Sequence, residues 1–185
     1  MSYSEHTFKP DWYIHPCIER DGQVVTGGGW YDKIANKLFG ANLKDGEIHA
    51  PLYTKDGWKF GSYIGPGTSV YDNILKGKAP VSDVDRVAQA HDIRYSNARS
   101  PEDVRKADLK MVGKLNDIQK NKSDSKFNIY MGKIPIKAKM FLEDMGLMKK
   151  GSFSSQKGIS DKDEARVLGN KLKELEALGY GRRRK

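Results

Sequence analysis

The stretch that decides the fold is SDVDRVAQAHDIRY, residues 82–95. Ser82 is followed three residues later by Asp85, a capping pattern that predicts the start of a helix. Beyond it, four residues recur at the spacing of one helix face: Val84, Ala88, His91 and Tyr95. The sequence therefore predicts a helix over about residues 83–98 that carries a histidine on its inward face.

A second helix, over about residues 101–119, is predicted by the same kind of signal. Ser100 precedes Asp103 by three residues, and Pro101 stands at the first helical position. Its inward stripe consists of Val104, Asp108, Met111 and Leu115, so it also carries one ionisable residue. Because a buried carboxylate needs a hydrogen-bond donor, we expect antiparallel packing of the two helices to bring Asp108 within reach of His91.

The pairing of His91 with Asp108 has two interpretations. A carboxylate that holds an imidazole in one tautomer is the arrangement of a catalytic base with its orienting group. A hydrogen bond that only specifies core packing is the interpretation that the two stripes alone favour. Asp92 shifts the balance, since it lies about 100° around the same helix and adds a carboxylate that is costly to bury without a cation.

The loop YIGPGT, residues 63–68, is a candidate for that cation site. Gly65 and Gly67 allow the backbone to turn its carbonyl oxygens inward. Calcium accepts such carbonyls together with a carboxylate and water. A Gly-Pro-Gly loop alone is usually a simple turn. Its combination with the His-Asp dipeptide, a tyrosine and an inward aspartate is much more specific.

Before this region the sequence predicts less structure. Residues 1–29 resemble an extended arm, and Trp30, Ile34 and Leu38 then predict a short amphipathic helix that Gly40 ends. The turn Lys55-Asp56-Gly57 predicts a hairpin within residues 47–62. After the glycine loop, a loose connection is expected as far as Pro80.

After the two central helices, the sequence predicts two more. One has Pro135 near its start and extends to Met145, and a Ser/Gly/Lys linker follows at residues 151–158. The last, over about residues 161–178, is capped by Ser160 and Asp163 and ended by Gly179. Its apolar face consists of Ala165, Leu168, Leu172, Leu175 and Leu178. We therefore predict a mainly α fold with three parts: residues 1–45, 46–148 and 149–185.

Composition limits the function classes. Net charge is +9, which makes anionic lipid or nucleic acid plausible partners, the latter through the basic end Arg182, Arg183, Arg184 and Lys185. Cys17 is the single cysteine, so no intrachain disulfide can form. No apolar run reaches the roughly 18 residues of a membrane span, and MSYSEH at the start lacks a signal-peptide pattern.

Two segments resemble the secreted-type phospholipase A2 superfamily. Tyr63-x-Gly65-x-Gly67 resembles its calcium loop, and residues 80–95, PVSDVDRVAQAHDIRY, resemble its active-site helix. The absence of the disulfide cysteines, the Gly-Pro-Gly loop and the longer connection are more similar to the phospholipase domain of parvovirus minor capsid proteins. The resemblance covers about residues 60–118 and extends at most to 145.

The resemblance implies a core of two antiparallel helices with a calcium loop and a third helix, and it implies roles for particular residues. Backbone carbonyls of Tyr63, Gly65 and Gly67, with the carboxylate of Asp92, would bind Ca²⁺. His91 would deprotonate the water that attacks the sn-2 ester of a phospholipid, with Asp108 orienting the imidazole and Tyr95 in support. The oxyanion would be stabilised by calcium and the Gly65 amide. Thr68 departs from the family pattern, since many relatives have glycine there.

Three functional hypotheses follow. The leading one is an active lipase of a non-enveloped virion, associated with capsid proteins and acting peripherally on the phospholipid surface of a host endosome. The second is a stand-alone cellular phospholipase, for which a signal peptide would be expected. The third is a catalytically inactive structural or nucleic-acid-binding protein that retains the fold. Release of fatty acid in calcium and in chelator discriminates the enzyme from the scaffold.

Overall fold

The computed structural model describes residues 19–20, 23–24, 49–65, 68–151 and 162–180. The chain divides into two compact units, Met1–Lys44 and Asp45–Lys185. In the first, strands β1 (Glu19–Arg20) and β2 (Gln23–Val24) pair antiparallel. The predicted helix from Trp30 to Leu38 lies outside the described residues, as do most of the predicted arm and linker and all of the basic end.

The second unit begins with the predicted hairpin, which is confirmed. Strands β3 (Pro51–Thr54) and β4 (Gly57–Phe60) pair antiparallel, with Thr54 opposite Gly57 at the turn. Gly57 has a φ of 98°, a left-handed conformation that suits glycine. The hairpin leads directly into the glycine loop.

A short helix, α1 (Val70–Leu75), occupies the connection that was predicted to be loose. Ser69 caps it, and the buried Asn73 side chain donates to the Ser62 carbonyl at 2.9 Å. Ser69 precedes Asp72 by three residues, the same capping pattern that marks the central helices, but six residues are too few to show a helical period. The helix is therefore a correction to the sequence prediction.

The two central helices are confirmed, and they run antiparallel. They are α2 (Asp83–Ser96), capped by Ser82, and α3 (Pro101–Asn121), capped by Ser100. The Val84 N–H near the start of α2 donates to Asp124, just beyond the end of α3, at 2.8 Å. These helices form the centre of the mainly α core.

The third helix of the core begins earlier than predicted. Helix α4 spans Lys126–Asp144 with Ser125 as its cap, so Pro135 lies inside it and not near its start. A proline inside a helix costs about 3 kcal/mol. Packing outweighs that cost, because Ile129 and Gly132 of the first two turns are buried against the central helices.

Helix α5 (Lys162–Ala177) packs into the same core as the central helices. Leu168 and Leu175 are fully buried, whereas Ala165 and Leu178, assigned to its apolar face from sequence, are exposed. Leu178 lies beyond the last helical residue, next to Gly179, whose φ of 86° ends the helix as predicted. The predicted boundaries at 45/46 and 148/149 stay predictions. Within the described ranges, no helix is long and apolar enough to span a membrane.

Candidate active site

The structure brings His91 and Asp108 together at the centre of the α2–α3 pair. His91 Nε2 lies 2.9 Å from Asp108 Oδ1, and both side chains are buried. The Tyr95 hydroxyl, one turn after His91, donates to the same Oδ1. The contact that was expected from the two helical stripes is therefore confirmed, although it does not by itself separate a catalytic pair from a packing contact.

The other nitrogen of the His91 ring faces Asp92. His91 Nδ1 is 3.3 Å from Asp92 Oδ1. Both neighbours are carboxylates, which only accept hydrogen bonds, but the contact with Asp108 is the shorter and is shared with Tyr95, so it assigns the hydrogen of a neutral imidazole to Nε2. The Nδ1 lone pair then lies on the Asp92 side of the ring, where it can take a proton from a molecule bound beside Asp92.

Carboxylates on both sides of the ring control its charge. Burial by itself lowers the pKa of His91, but hydrogen bonds and charge interactions with Asp108 and Asp92 outweigh it and raise that pKa above its usual value. A base must be neutral to accept a proton. A cation beside Asp92 would offset part of this effect, because it would neutralise one of the two carboxylates.

Asp92 has the environment expected of a metal ligand. Its Oδ2 atom is buried and has no hydrogen-bond partner. Burial raises the pKa of Asp92, because the loss of water outweighs the hydrogen bond and charge interaction with His91 that lower it. A buried carboxylate oxygen without a partner is costly, and a cation at this position would remove the cost. Asp92 thus fits a role as the anionic ligand of Ca²⁺.

The remaining ligands would have to come from the backbone. The described ranges contain no cluster of three or more His, Cys, Asp or Glu side chains that could hold a metal. Gly65 has a φ of 149°, and its carbonyl accepts the Thr68 hydroxyl at 2.6 Å, so Thr68 closes the loop. Gly67 lies outside the described residues. Calcium tolerates such carbonyl ligands, so the loop is chemically compatible with it.

Asp85 holds the loop in place, a role that sequence reasoning missed. Its carboxylate accepts the backbone N–H groups of three consecutive residues, Ser62 just before the loop and Tyr63 and Ile64 within it, at 2.8–3.0 Å. It also accepts the N–H of Val81 at 3.0 Å. Its position three residues after Ser82 had indicated only a helix cap. Because Asp85 and His91 share helix α2, the loop is fixed relative to the ring.

Tyr63, the first residue of the loop, is held in place by its own side chain. Its hydroxyl donates to the Lys78 carbonyl at 2.7 Å. Burial, aided by the charges of Asp85 and Asp92, raises the pKa of Tyr63 to about 12, so this hydroxyl stays protonated. Together with the bond from its backbone N–H to Asp85, this contact fixes Tyr63 through both its main chain and its side chain.

Lys139 is the second residue that sequence reasoning missed. From α4 its ammonium reaches Asp108 Oδ2 at 2.6 Å and Glu143 Oε1 at 2.9 Å. Burial alone raises the pKa of Asp108, but hydrogen bonds from His91, Lys139 and Tyr95 outweigh it and lower that pKa. A lysine four residues before a glutamate was the available signal. Both residues lay within the helix predicted to extend to Met145, but their spacing carries no sign of a partner on another helix.

A comparison with protein families agrees with this geometry. Residues 59–139 match the family described as phospholipase A2-like domain. No curated protein and no solved structure matches the chain. The match supports the resemblance to the phospholipase A2 superfamily and extends it to Lys139. A particular similarity to the parvovirus branch stays a prediction.

Proposed function

We propose that residues 59–139 hydrolyse the sn-2 ester of phospholipids in a calcium-dependent reaction. One observation carries the proposal: Asp92 Oδ2 is buried without a partner, beside a histidine whose other nitrogen is held by a buried aspartate. A pair that only specified packing would not require this additional costly carboxylate. The family match supports the same chemistry.

In this reaction His91 is the general base. A water molecule at Nδ1 loses its proton to the imidazole as its oxygen attacks the ester carbonyl. The ester C–O bond then breaks, and the imidazolium returns that proton to the leaving sn-2 oxygen, so a fatty acid and a lysophospholipid are released. The Nε2–H group donates to Asp108 throughout, so the ring cannot rotate or change tautomer. Asp108 stays ionised and stabilises the imidazolium, and the Tyr95 hydroxyl keeps Oδ1 in place.

Calcium would be held by Asp92 and by the carbonyls of Tyr63, Gly65 and Gly67. When bound, it supplies Lewis-acid stabilisation of the negative charge that develops on the ester oxygen. The Gly65 amide is the protein donor that we assign to the same oxygen. Asp85 fixes the position of Tyr63 and Ile64, which precede Gly65 in the loop, relative to helix α2.

Fatty-acid release from defined phospholipid vesicles tests the proposal. The acyl chain at the sn-2 position is labelled, and the assay is run in calcium, in magnesium and in chelator. We expect hydrolysis in millimolar calcium alone, because magnesium demands tighter octahedral geometry. His91→Gln is the control for a contaminating lipase. Undiminished hydrolysis in chelator would refute the calcium role, and no hydrolysis by the wild type would support the inactive scaffold.

The setting that we propose is a non-enveloped virion that breaches a host endosomal membrane, with the phospholipid surface and capsid proteins as partners. The sequence resemblance to the parvovirus domains supports it. Leakage of dye from vesicles of endosomal lipid composition should require calcium and His91. Equal leakage with His91→Gln would separate membrane disruption from hydrolysis. A nucleic-acid role for residues 182–185 is expected to be minor.

A further inference from the structure

The buried ammonium of Lys139 lies behind the catalytic pair. Its side chain is 6% exposed, and the two carboxylates that it bridges, Asp108 and Glu143, are 0% and 3% exposed. Four side chains form a row across the site, and each one contacts the next: His91, Asp108, Lys139 and Glu143. Lys139 thus touches Asp108 on the side away from the imidazole.

The two oxygens of Asp108 have separate partners. Oδ1 accepts from His91 and Tyr95, whereas Oδ2 accepts from Lys139. A carboxylate held at one oxygen only can rotate about its Cβ–Cγ bond, and this rotation would move Oδ1 out of line with Nε2. The Lys139 contact opposes that rotation, because the ammonium itself is fixed.

Several contacts fix the ammonium. Glu143 lies one helical turn after Lys139, and its Oε1 also accepts the Gly151 N–H at 3.1 Å. Its Oε2 lies 3.8 Å from Arg105 of α3, which also bonds Asp144 at 2.7 Å. The last two turns of α4 are therefore tied to α3, the helix that carries Asp108.

We propose that Lys139 is a positioning residue that holds the Asp108 carboxylate in the orientation that receives His91 Nε2–H. Lys139 acts through Asp108 and does not reach the substrate. Its effect on turnover rests on the proposed phospholipase function, but its effect on the ring of His91 does not. The competing explanation is a buried ion pair that contributes only to folding.

The variants are chosen to separate these explanations. Lys139→Met removes the charge and leaves the buried Glu143 with only the Gly151 N–H and the 3.8 Å contact with Arg105, so the variant is less stable. The double variant Lys139→Met/Glu143→Gln removes both charges and keeps side chains of similar volume. Lys133→Met is the matched control, because Lys133 is also a buried lysine of α4 but bonds Gln119 and not Asp108.

Two measurements follow, each in calcium and in chelator. With a short-chain phospholipid, both Lys139 variants should lose about a hundredfold in kcat, the scale expected from misplacing a catalytic group, with KM little changed. Lys133→Met should keep wild-type kcat. The nitrogen NMR signals of His91 at one fixed pH should show the Nε2–H tautomer in the wild type and a mixture in both Lys139 variants.

The outcomes are decisive in either direction. A folded double variant with wild-type kcat and a pure Nε2–H tautomer would overturn the proposal and leave a structural ion pair. Equal losses with Lys133→Met would also overturn it, since the effect would then be general to α4. If the wild type hydrolyses nothing, the proposed function fails, and the NMR signals still decide the role of Lys139.

Discussion

The carboxylate of Asp85 accepts the backbone N–H of Tyr63 at 2.8 Å, across 22 residues of sequence. This bond joins the glycine loop to the helix that carries His91 and Asp92. The same carboxylate serves four backbone N–H groups in all, and it is fully buried. The geometry of the candidate calcium site thus depends on a residue that would not itself bind the metal.

Asp85→Ala is expected to destabilise the protein strongly. It leaves four backbone donors without their charged acceptor, and the loss should be on the order of 3 kcal/mol or more. Denaturant unfolding measures it. Ser82→Ala, which removes one cap bond at 3.2 Å from the same turn of α2, should cost only about 1 kcal/mol. Equal losses for the two variants would show that Asp85 acts only as a cap residue.

Asp92→Asn should raise the Tm of the calcium-free protein by a few degrees at neutral pH. Asparagine removes the charge of a partly exposed carboxylate whose Oδ2 atom is buried without a partner, and burial raises the pKa of this group, so its ionisation is unfavourable in the folded state. The variant should also lose the stabilisation that calcium gives the wild type. Asp117→Asn, at a more exposed ion pair with Lys114, is the control and should change little. An unchanged calcium shift in Asp92→Asn would contradict a metal-ligand role.

The gain from Asp92→Asn should depend on pH in a definite direction. A carboxyl whose pKa is raised on folding binds its proton more tightly in the folded state. It therefore costs nothing well below its ordinary pKa of 3.8, and the cost grows as pH rises above that value. In chelator, unfolding free energies of wild type and variant should coincide at about pH 3 and separate between about pH 4 and neutrality. A constant difference would point to another cause.

Asp108→Asn should reduce turnover by about a hundredfold or more, because an amide can hold the imidazole in the wrong tautomer and carries no charge to stabilise the imidazolium. Saturating calcium should not restore the rate, whereas it should partly restore that of Asp92→Asn. The change should also reduce stability, since the amide N–H₂ must face either Lys139 or the donors at Oδ1. Asp103→Asn on the same helix is the control and should keep wild-type turnover. Wild-type kcat in Asp108→Asn would refute the orienting role.

Gly132→Ala and Gly169→Ala should change stability in opposite directions. A Cβ at Gly132 would lie 3.1 Å from Leu115 and 3.2 Å from Val84, both fully buried, so α4 would be pushed from the core. We expect a loss of about 1 kcal/mol. A Cβ at Gly169 meets nothing within 4 Å, so alanine should stabilise α5 by up to about 1 kcal/mol. Stabilisation by both changes would show that the α4 contact relaxes.

Local signals were sufficient for part of the structure. The caps Ser82 and Ser100, the turn at Gly57 and the helix end at Gly179 each lie where the sequence placed them. These features depend on a few neighbouring residues, whose backbone preferences and hydrogen bonds act at short range. Helical periodicity also predicted the meeting of His91 and Asp108, because one ionisable residue stood on each inward stripe.

Other features were decided only by the tertiary structure. Helix α4 continues through Pro135 because its first turns are buried in the core, and the free energy of that packing has no local signal. Asp85 and Lys139 acquire their roles from partners on other elements, and the Lys139–Asp108 bond spans 31 residues. The sequence by itself determined which residue types could form the site. Only the packing of α4 and the glycine loop against the central helices decided which charged side chains come into contact in the site. Buried ionisable groups are tolerated where residues distant in sequence supply their hydrogen bonds or opposite charges.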